Sequence, residues 1–163
     1  DRCQIGVVLG MHGPQGLSDL YVTEAEQMPG ILRTQVDVVL PDGAAVLNAD
    51  DPEVLALGDY CDGEVLLVSC NPDNAALAAH RAAQGRAVLA RGTEVLLIEG
   101  ANELALTQLS PQVLSALTAD GPHDVRPQVL AAVAAAWAAG AGPDLIRAGL
   151  LHFDEPRDTP AVH

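Results

Sequence analysis

The chain has 163 residues and a formal net charge of −14, and its eight basic residues are all arginines. So acidic a surface repels phosphate backbones and anionic lipids, which argues against nucleic-acid or membrane binding. The absence of lysine excludes a Schiff base, a P-loop lysine and a carbamoylated-lysine metal bridge within these residues.

The length suits one domain burying roughly two-thirds of its unfolded surface. The aromatics are Tyr21, Tyr60, Trp137 and Phe153, so the core must be built of Ala, Val and Leu. Cys3, Cys61 and Cys70 are odd in number and lack C-x-x-C spacing, which reads as reduced thiols. No signal peptide or apolar span of about 18 residues is visible, and the expected location is the cytoplasm.

In chain order, Ile5–Leu9 is a continuous apolar run that predicts a fully buried strand of a parallel sheet. A loop rich in turn formers, Gly10 to Gly16, follows it and contains His12. Thr23 with Glu26 is a capping-box pattern for a helix reaching Val36, interrupted or delayed by Pro29-Gly30. Pro41-Asp42-Gly43 reads as a turn feeding a strand at Ala44–Leu47, and Asp51-Pro52 opens a short helix to about Leu57. Glu64–Ser69 is a third strand, and Asn71-Pro72-Asp73 begins an Ala-rich helix stopped at Gly85.

Short runs between glycine turns, Arg86–Ala90, Glu94–Ile98 and Glu103–Leu109, predict an antiparallel β-meander. Ser110–Pro122 is either a loop or a short helix. From Arg126 to Ala139 apolar residues surround a helix, as on one packed between a sheet and another element, and Leu145–Leu151 is a last helix. Residues 154–163 read as a disordered tail. The expected fold is α/β, a three-layer sandwich with a mostly parallel sheet plus a small antiparallel β-meander.

The stretch Asn48, Asp50, Asp51 stands at a strand's carboxyl end, the edge where α/β folds bind ligands. Clustered carboxylates there could take magnesium or ribose; an Asx turn plus a helix cap explains the same residues. His12 is a candidate metal ligand or an ordinary loop histidine. Arg33 could hold a phosphate or sit in a solvent-exposed ion pair, and His80 and Arg81 read as solvated. His123-Asp124 is a candidate supporting pair, and Trp137 is a packing anchor for the core or a partner surface.

The run PDGAAVLNADDP, the segment HRAAQGRAVLARGTEVLLIEG and the helix VLAAVAAAWAAGAGPDLIRAGL together resemble the latter part of the central ATPase domain of the Mur ligase superfamily. Within it the resemblance is greatest to the Mur-ligase-like module of cyanophycin synthetases, through V-L-N-A-D-D-P and A-A-A-W-A. It covers about Cys3 to Phe153, so that residues 1–153 read as a partial central domain without its P-loop half.

The resemblance implies ATP-dependent activation of a carboxylate, attack by an amine, and magnesium bridging the phosphates. On that alignment the phosphate loop and its lysine would precede residue 1, and the arginine motif of the next domain would follow Phe153. The T-N-x-x-x-D-H-L-G pattern becomes Leu9-Gly10 and Pro14-Gln15, with His12 a substitute only after a loop shift. The adenine-contacting asparagine falls at Gln128, a candidate nucleotide contact.

The expectation is therefore a fragment or degenerate relative of an acid–amino-acid ligase, inactive in isolation. The alternative is a non-catalytic oligomerisation or protein-interaction module on the same scaffold. In either case a homo-oligomer or a partner segment is expected to cover the exposed sheet edge.

Overall fold

The computed structural model describes residues 3–10, 19, 21–111, 114 and 124–152. The elements are β1 (Cys3–Val8), a 3-10 turn (Ala25–Gln27) leading into α1 (Met28–Asp37), β2 (Val39–Asn48), and α2 (Pro52–Leu55) continuing as a 3-10 helix (Ala56–Tyr60). There follow β3 (Glu64–Ser69), α3 (Ala75–Ala82), β4 (Arg86–Arg91), β5 (Glu94–Glu99), β6 (Asn102–Gln108), α4 (Arg126–Ala138) and α5 (Pro143–His152).

Among the described residues, all strands join one six-stranded sheet in sequential order, β1 to β6. β1 through β4 are parallel, and β4, β5 and β6 turn back on one another antiparallel. The meander is thus a continuation of the parallel sheet through β4, which belongs to both halves.

Parallel neighbours need crossovers, and the three helical ones lie on one face. There Val36 of α1, Val54 of α2, Leu57 and Leu77 of α3 pack against Leu47, Leu67, Leu89 and Ile98. On the opposite face Leu130, Val133 and Ala134 of α4 pack on Val46, Leu66, Val68 and Val88. With α5 laid against α4 and β6, this is a three-layer sandwich with a mostly parallel sheet, as the sequence predicts. Alanine-rich α4 presents small side chains all round, so it can press on the sheet and on α5 at once.

The structure moves several sequence-based expectations. β1 is an edge strand, and Val7 is 43% exposed, so the run is not fully buried. Pro41-Asp42-Gly43 is no turn but part of a ten-residue β2, forming a bulge: Cys3 pairs with Val39 while Ile5 pairs with Ala44. Two glycines make that bulge possible. A Cβ on Gly43 would collide with the Gln4 carbonyl oxygen, and one on Gly63 would lie 2.5 Å from the Gly43 oxygen and 2.6 Å from the Leu40 oxygen.

The first helix starts differently from the expected box. Gln27, not Glu26, folds its side chain back to accept from the Thr23 and Glu24 amides at 2.9 and 3.0 Å. Pro29 lies in the first turn of α1, where its missing N–H costs nothing. Asn74 caps α3 by accepting from the Leu77 amide, and Asn71 accepts from the Asp73 amide just before it. His80 and Arg81 are only partly exposed and both are engaged: His80 Nε2 lies 3.0 Å from the Arg86 carbonyl oxygen, and Arg81 donates to the Gly100 carbonyl and to Glu103. The tail, residues 154–163, and most of Ser110–Pro122 lie outside the described residues.

Candidate functional site

Because β1 to β4 are parallel, their carboxyl ends share one edge, and the polar residues that end each apolar run meet there. Asn48 ends β2. Its Nδ2 donates to the Leu9 carbonyl at 2.9 Å, beyond β1, and its Oδ1 accepts from the Asp50 amide at 3.0 Å in an Asx turn. Asp51 caps α2, accepting from Glu53 N at 3.0 Å and Val54 N at 3.2 Å.

Asp50 is the hub. Its Oδ1 accepts from the Ser69 hydroxyl at 2.6 Å and from Asn74 Nδ2 at 2.9 Å, and its Oδ2 accepts from the Cys70 amide at 2.7 Å. Ser69 is 1% exposed and in turn accepts from the Asn71 amide at 3.0 Å. Asn74 Nδ2 also donates to the Ala49 carbonyl at 2.9 Å. One carboxylate thereby ties the end of β2 to the end of β3 and to the start of α3.

Beside this hub lies Cys70, whose thiol is pushed up to about 11 by burial, opposed by the Arg126 charge and reinforced by Asp124 and Asp50. It stays protonated at neutral pH and is no nucleophile. Asp124 and Arg126 hold the start of α4. Arg126 Nη2 meets Asp124 Oδ2 at 2.7 Å, its backbone amide meets Oδ1 at 3.0 Å, and its Nη1 donates to the Gly92 carbonyl, just past β4, at 3.2 Å. That hydrogen-bonded pairing holds the Asp124 carboxyl below the usual carboxylate range and raises the Arg126 guanidinium further.

The structure therefore gathers Asn48, Asp50 and Asp51 on one strand end, where each already has backbone or side-chain partners. Gln128 lies one turn into α4, exposed, with its amide placed to donate to the Val125 and Asp124 carbonyls at 3.0 and 3.3 Å. His12 lies outside the described residues, as does His123. Asp124 pairs with Arg126 instead. Arg33 forms an ion pair with Asp37 at 3.0 Å and stacks over Tyr60 at 3.9 Å. Trp137 is half-buried against the core, with the Arg86 guanidinium 4.7 Å above its ring.

Ser69, Cys70 and Arg126 are the members that sequence reasoning passed over; Asp124 is named there, but with His123 rather than Arg126 as its mate. Their signal is the one that marks Asn48–Asp51: polar residues closing an apolar run, here Ser69-Cys70-Asn71 after EVLLV. Among the described residues, no three His, Cys, Asp or Glu side chains converge as a metal site would need. Two open grooves exist elsewhere. One of about 470 Å³ lies between α1 and the 3-10 helix, beside Arg33 and Tyr60; an apolar one of about 440 Å³ lies between α4 and α5. Neither is lined by Asn48, Asp50 or Gln128.

An open α/β sheet with a polar strand-end edge serves many unrelated functions, so the fold alone assigns none. No protein-family model matches the chain. It is 34% identical over 156 residues to the cyanophycin synthetase of Synechocystis sp., 32% over 154 residues to that of Crocosphaera subtropica, and 30% over 155 residues to that of Geminocystis herdmanii. Each match covers 94% of this chain and 17% of the relative, so the chain spans about a sixth of the length of the curated relatives it matches. The chain is similar to the Mur-ligase-like module of these proteins. More particularly, it is homologous along nearly its whole length to one segment of the cyanophycin synthetases.

Proposed function

We propose that this chain is a scaffold segment of an ATP-dependent amide-bond ligase of the Mur-ligase and cyanophycin-synthetase type, and that in isolation it neither hydrolyses ATP nor joins substrates. The relationship to cyanophycin synthetases supports the first half of this reading. The second half rests on one observation: all six described arginines are ion-paired, in a chain that has no lysine.

The described residues do not fit magnesium-ATP. The Asp50 carboxylate already receives three donors, no acidic or imidazole cluster converges, and no unpaired cation is offered to a phosphate. In this reading ATP and magnesium belong to the whole enzyme, and a further polypeptide segment supplies the groups that grip them. Asn48, Asp50, Asp51 and Gln128 then line the nucleotide's side of the cleft, with His12 the remaining metal candidate. The same reading places the protein in the cytoplasm; among the described residues, no helix is long and apolar enough to cross a membrane.

Calorimetry of the 163-residue chain with magnesium-ATP is expected to show no binding in the micromolar range, and micromolar affinity would overturn the proposal. A second reading, a non-catalytic oligomerisation or interaction module, is favoured by the apolar groove between α4 and α5, at whose rim Leu145 is 68% exposed. Light scattering that finds a clean monomer at high concentration argues against it.

A further inference from the structure

The groove between α1 and the 3-10 continuation of α2 is formed wholly by elements of this chain, and its volume of about 470 Å³ is that of a small-molecule site. Gly30 and Arg33 stand on one wall, with Glu53, Leu57, Asp59 and Tyr60 on the other. The spacing makes the shape. Glu53, Leu57 and Tyr60 recur at intervals of four and three residues, so one helix face carries all three toward α1. Leu57, 4% exposed, gives that wall an apolar floor. Across from it α1 is notched at Gly30, where an added Cβ would meet no atom within 4 Å.

The charges along the groove do not balance. Arg33 is committed: its Nε lies 3.0 Å from Asp37 Oδ2, and its guanidinium stands 3.9 Å over the Tyr60 ring. That pair is neutral. Glu53 and Asp59 are exposed, and among the described residues neither side chain has an ion pair or a hydrogen bond. They are six residues apart on a helix that passes from α to 3-10, so their backbones stand roughly 9–12 Å apart along its axis.

We propose that this groove binds a linear aliphatic diamine, with one ammonium group at Glu53, the other at Asp59, and the methylene chain laid over Leu57 between them. Burial of the stem and two carboxylates without partners act together on such a molecule. A monoamine leaves one carboxylate unmatched, and a dicarboxylate of that length meets two like charges. The inference stands apart from the nucleotide reading, since Asn48, Asp50 and Gln128 do not line this groove.

The test titrates the full 163-residue chain with hexamethylenediamine, hexylamine and adipate, following heat and the methyl resonances of Ala56 and Leu57, which line the groove. The diamine is expected to bind about fivefold more tightly than hexylamine, the worth of one further exposed ion pair, with the advantage shrinking between about 50 mM and about 500 mM salt. Adipate should not bind. Because a chain of net charge −14 attracts any dication diffusely, the variants decide. Glu53→Gln and Asp59→Asn should each bring the diamine down to the level of hexylamine. Glu99→Gln, at an exposed carboxylate on β5 away from the groove, should leave it unchanged. Gly30→Leu, which favours the helix and fills the notch, should weaken the diamine by about tenfold or more without lowering the urea midpoint.

Equal affinity for diamine and monoamine would overturn the two-ended site. Diamine binding that survives Glu53→Gln, Asp59→Asn and Gly30→Leu would be diffuse attraction to an acidic chain and would overturn the groove itself. So would a titration that leaves the Ala56 and Leu57 methyls unmoved.

Discussion

The parallel half of the sheet, β1 to β3, and the antiparallel half, β4 to β6, are held together by different chemistry. In the parallel half the strand ends are tied by short side chains, Asn48, Asp50, Asp51 and Asn74, bonded to backbone groups and to one buried hydroxyl. In the antiparallel half the ties are long arginines reaching carboxylates at the surface. Glu103 on β6 is shared by Arg81 of α3 at 2.7 Å and Arg91 of β4 at 2.9 Å. Strands joined by crossovers leave their ends apart in sequence, so something must lock them side by side; strands joined by two-residue turns are already neighbours. The lock in the parallel half should therefore be the costlier one to break.

Asp50→Ala is the largest expected effect. It removes three hydrogen bonds and leaves the Ser69 hydroxyl, 1% exposed, with the Asn71 carbonyl at 3.0 Å as its acceptor. The expected loss is roughly 3 kcal/mol in urea unfolding, at about 1 kcal/mol for each of the three bonds to the carboxylate. Asp50→Asn keeps the size and part of the acceptor capacity and should lose less. Were both substitutions near-neutral, the hub would not be what fastens β2 to β3.

Gly63→Ala comes next. Its Cβ would be 2.5 Å from the Gly43 oxygen and 2.6 Å from the Leu40 oxygen, so backbone rather than a flexible side chain must yield. We expect roughly 2 kcal/mol of destabilisation, in the range of overpacked sites, with amide exchange accelerated at the start of β2 and β3. The contrast is Gly92→Ala at the β4–β5 turn, where φ is +66° and no atom lies within 4 Å of the Cβ, so only the left-handed backbone is strained.

How much of this was legible in the sequence follows the same division. The meander strands and β3 match their expected positions to within a residue or two, because short apolar runs stop at glycine turns and the signal is local. β2 was half-read: Pro41-Asp42-Gly43 has turn chemistry, and only its pairing with β1 across a bulge shows it to be strand. Asn48, Asp50 and Asp51 stood out as polar residues closing an apolar run. That Asp50 would be filled by Ser69, Cys70 and Asn74, about 20 residues along, depends on a crossover placing two strand ends together. The Arg86–Trp137 stack joins residues on β4 and α4 and has no trace in local pattern.

Glu103→Gln probes the weaker side of the comparison, and the sign of its pH dependence can be worked out. Hydrogen bonds from Arg91 and then Arg81 hold the Glu103 carboxyl below the usual carboxylate range. A carboxyl lowered in the folded state adds stability at pH values above its unfolded value, about 4.3, and that contribution fades as pH falls through the lowered native value. The side chain is 30% exposed and both partners reach it from the surface, so screening keeps the contribution at about 0.5–1 kcal/mol. Unfolding titrations of the two proteins should therefore differ by that amount at neutral pH, by less in high salt, and converge in acid. A gap that stays constant down to the lowest pH would mean that Glu103 acts through packing over Leu96 and Ile98, which lie buried in the neighbouring strand, and not through its charge.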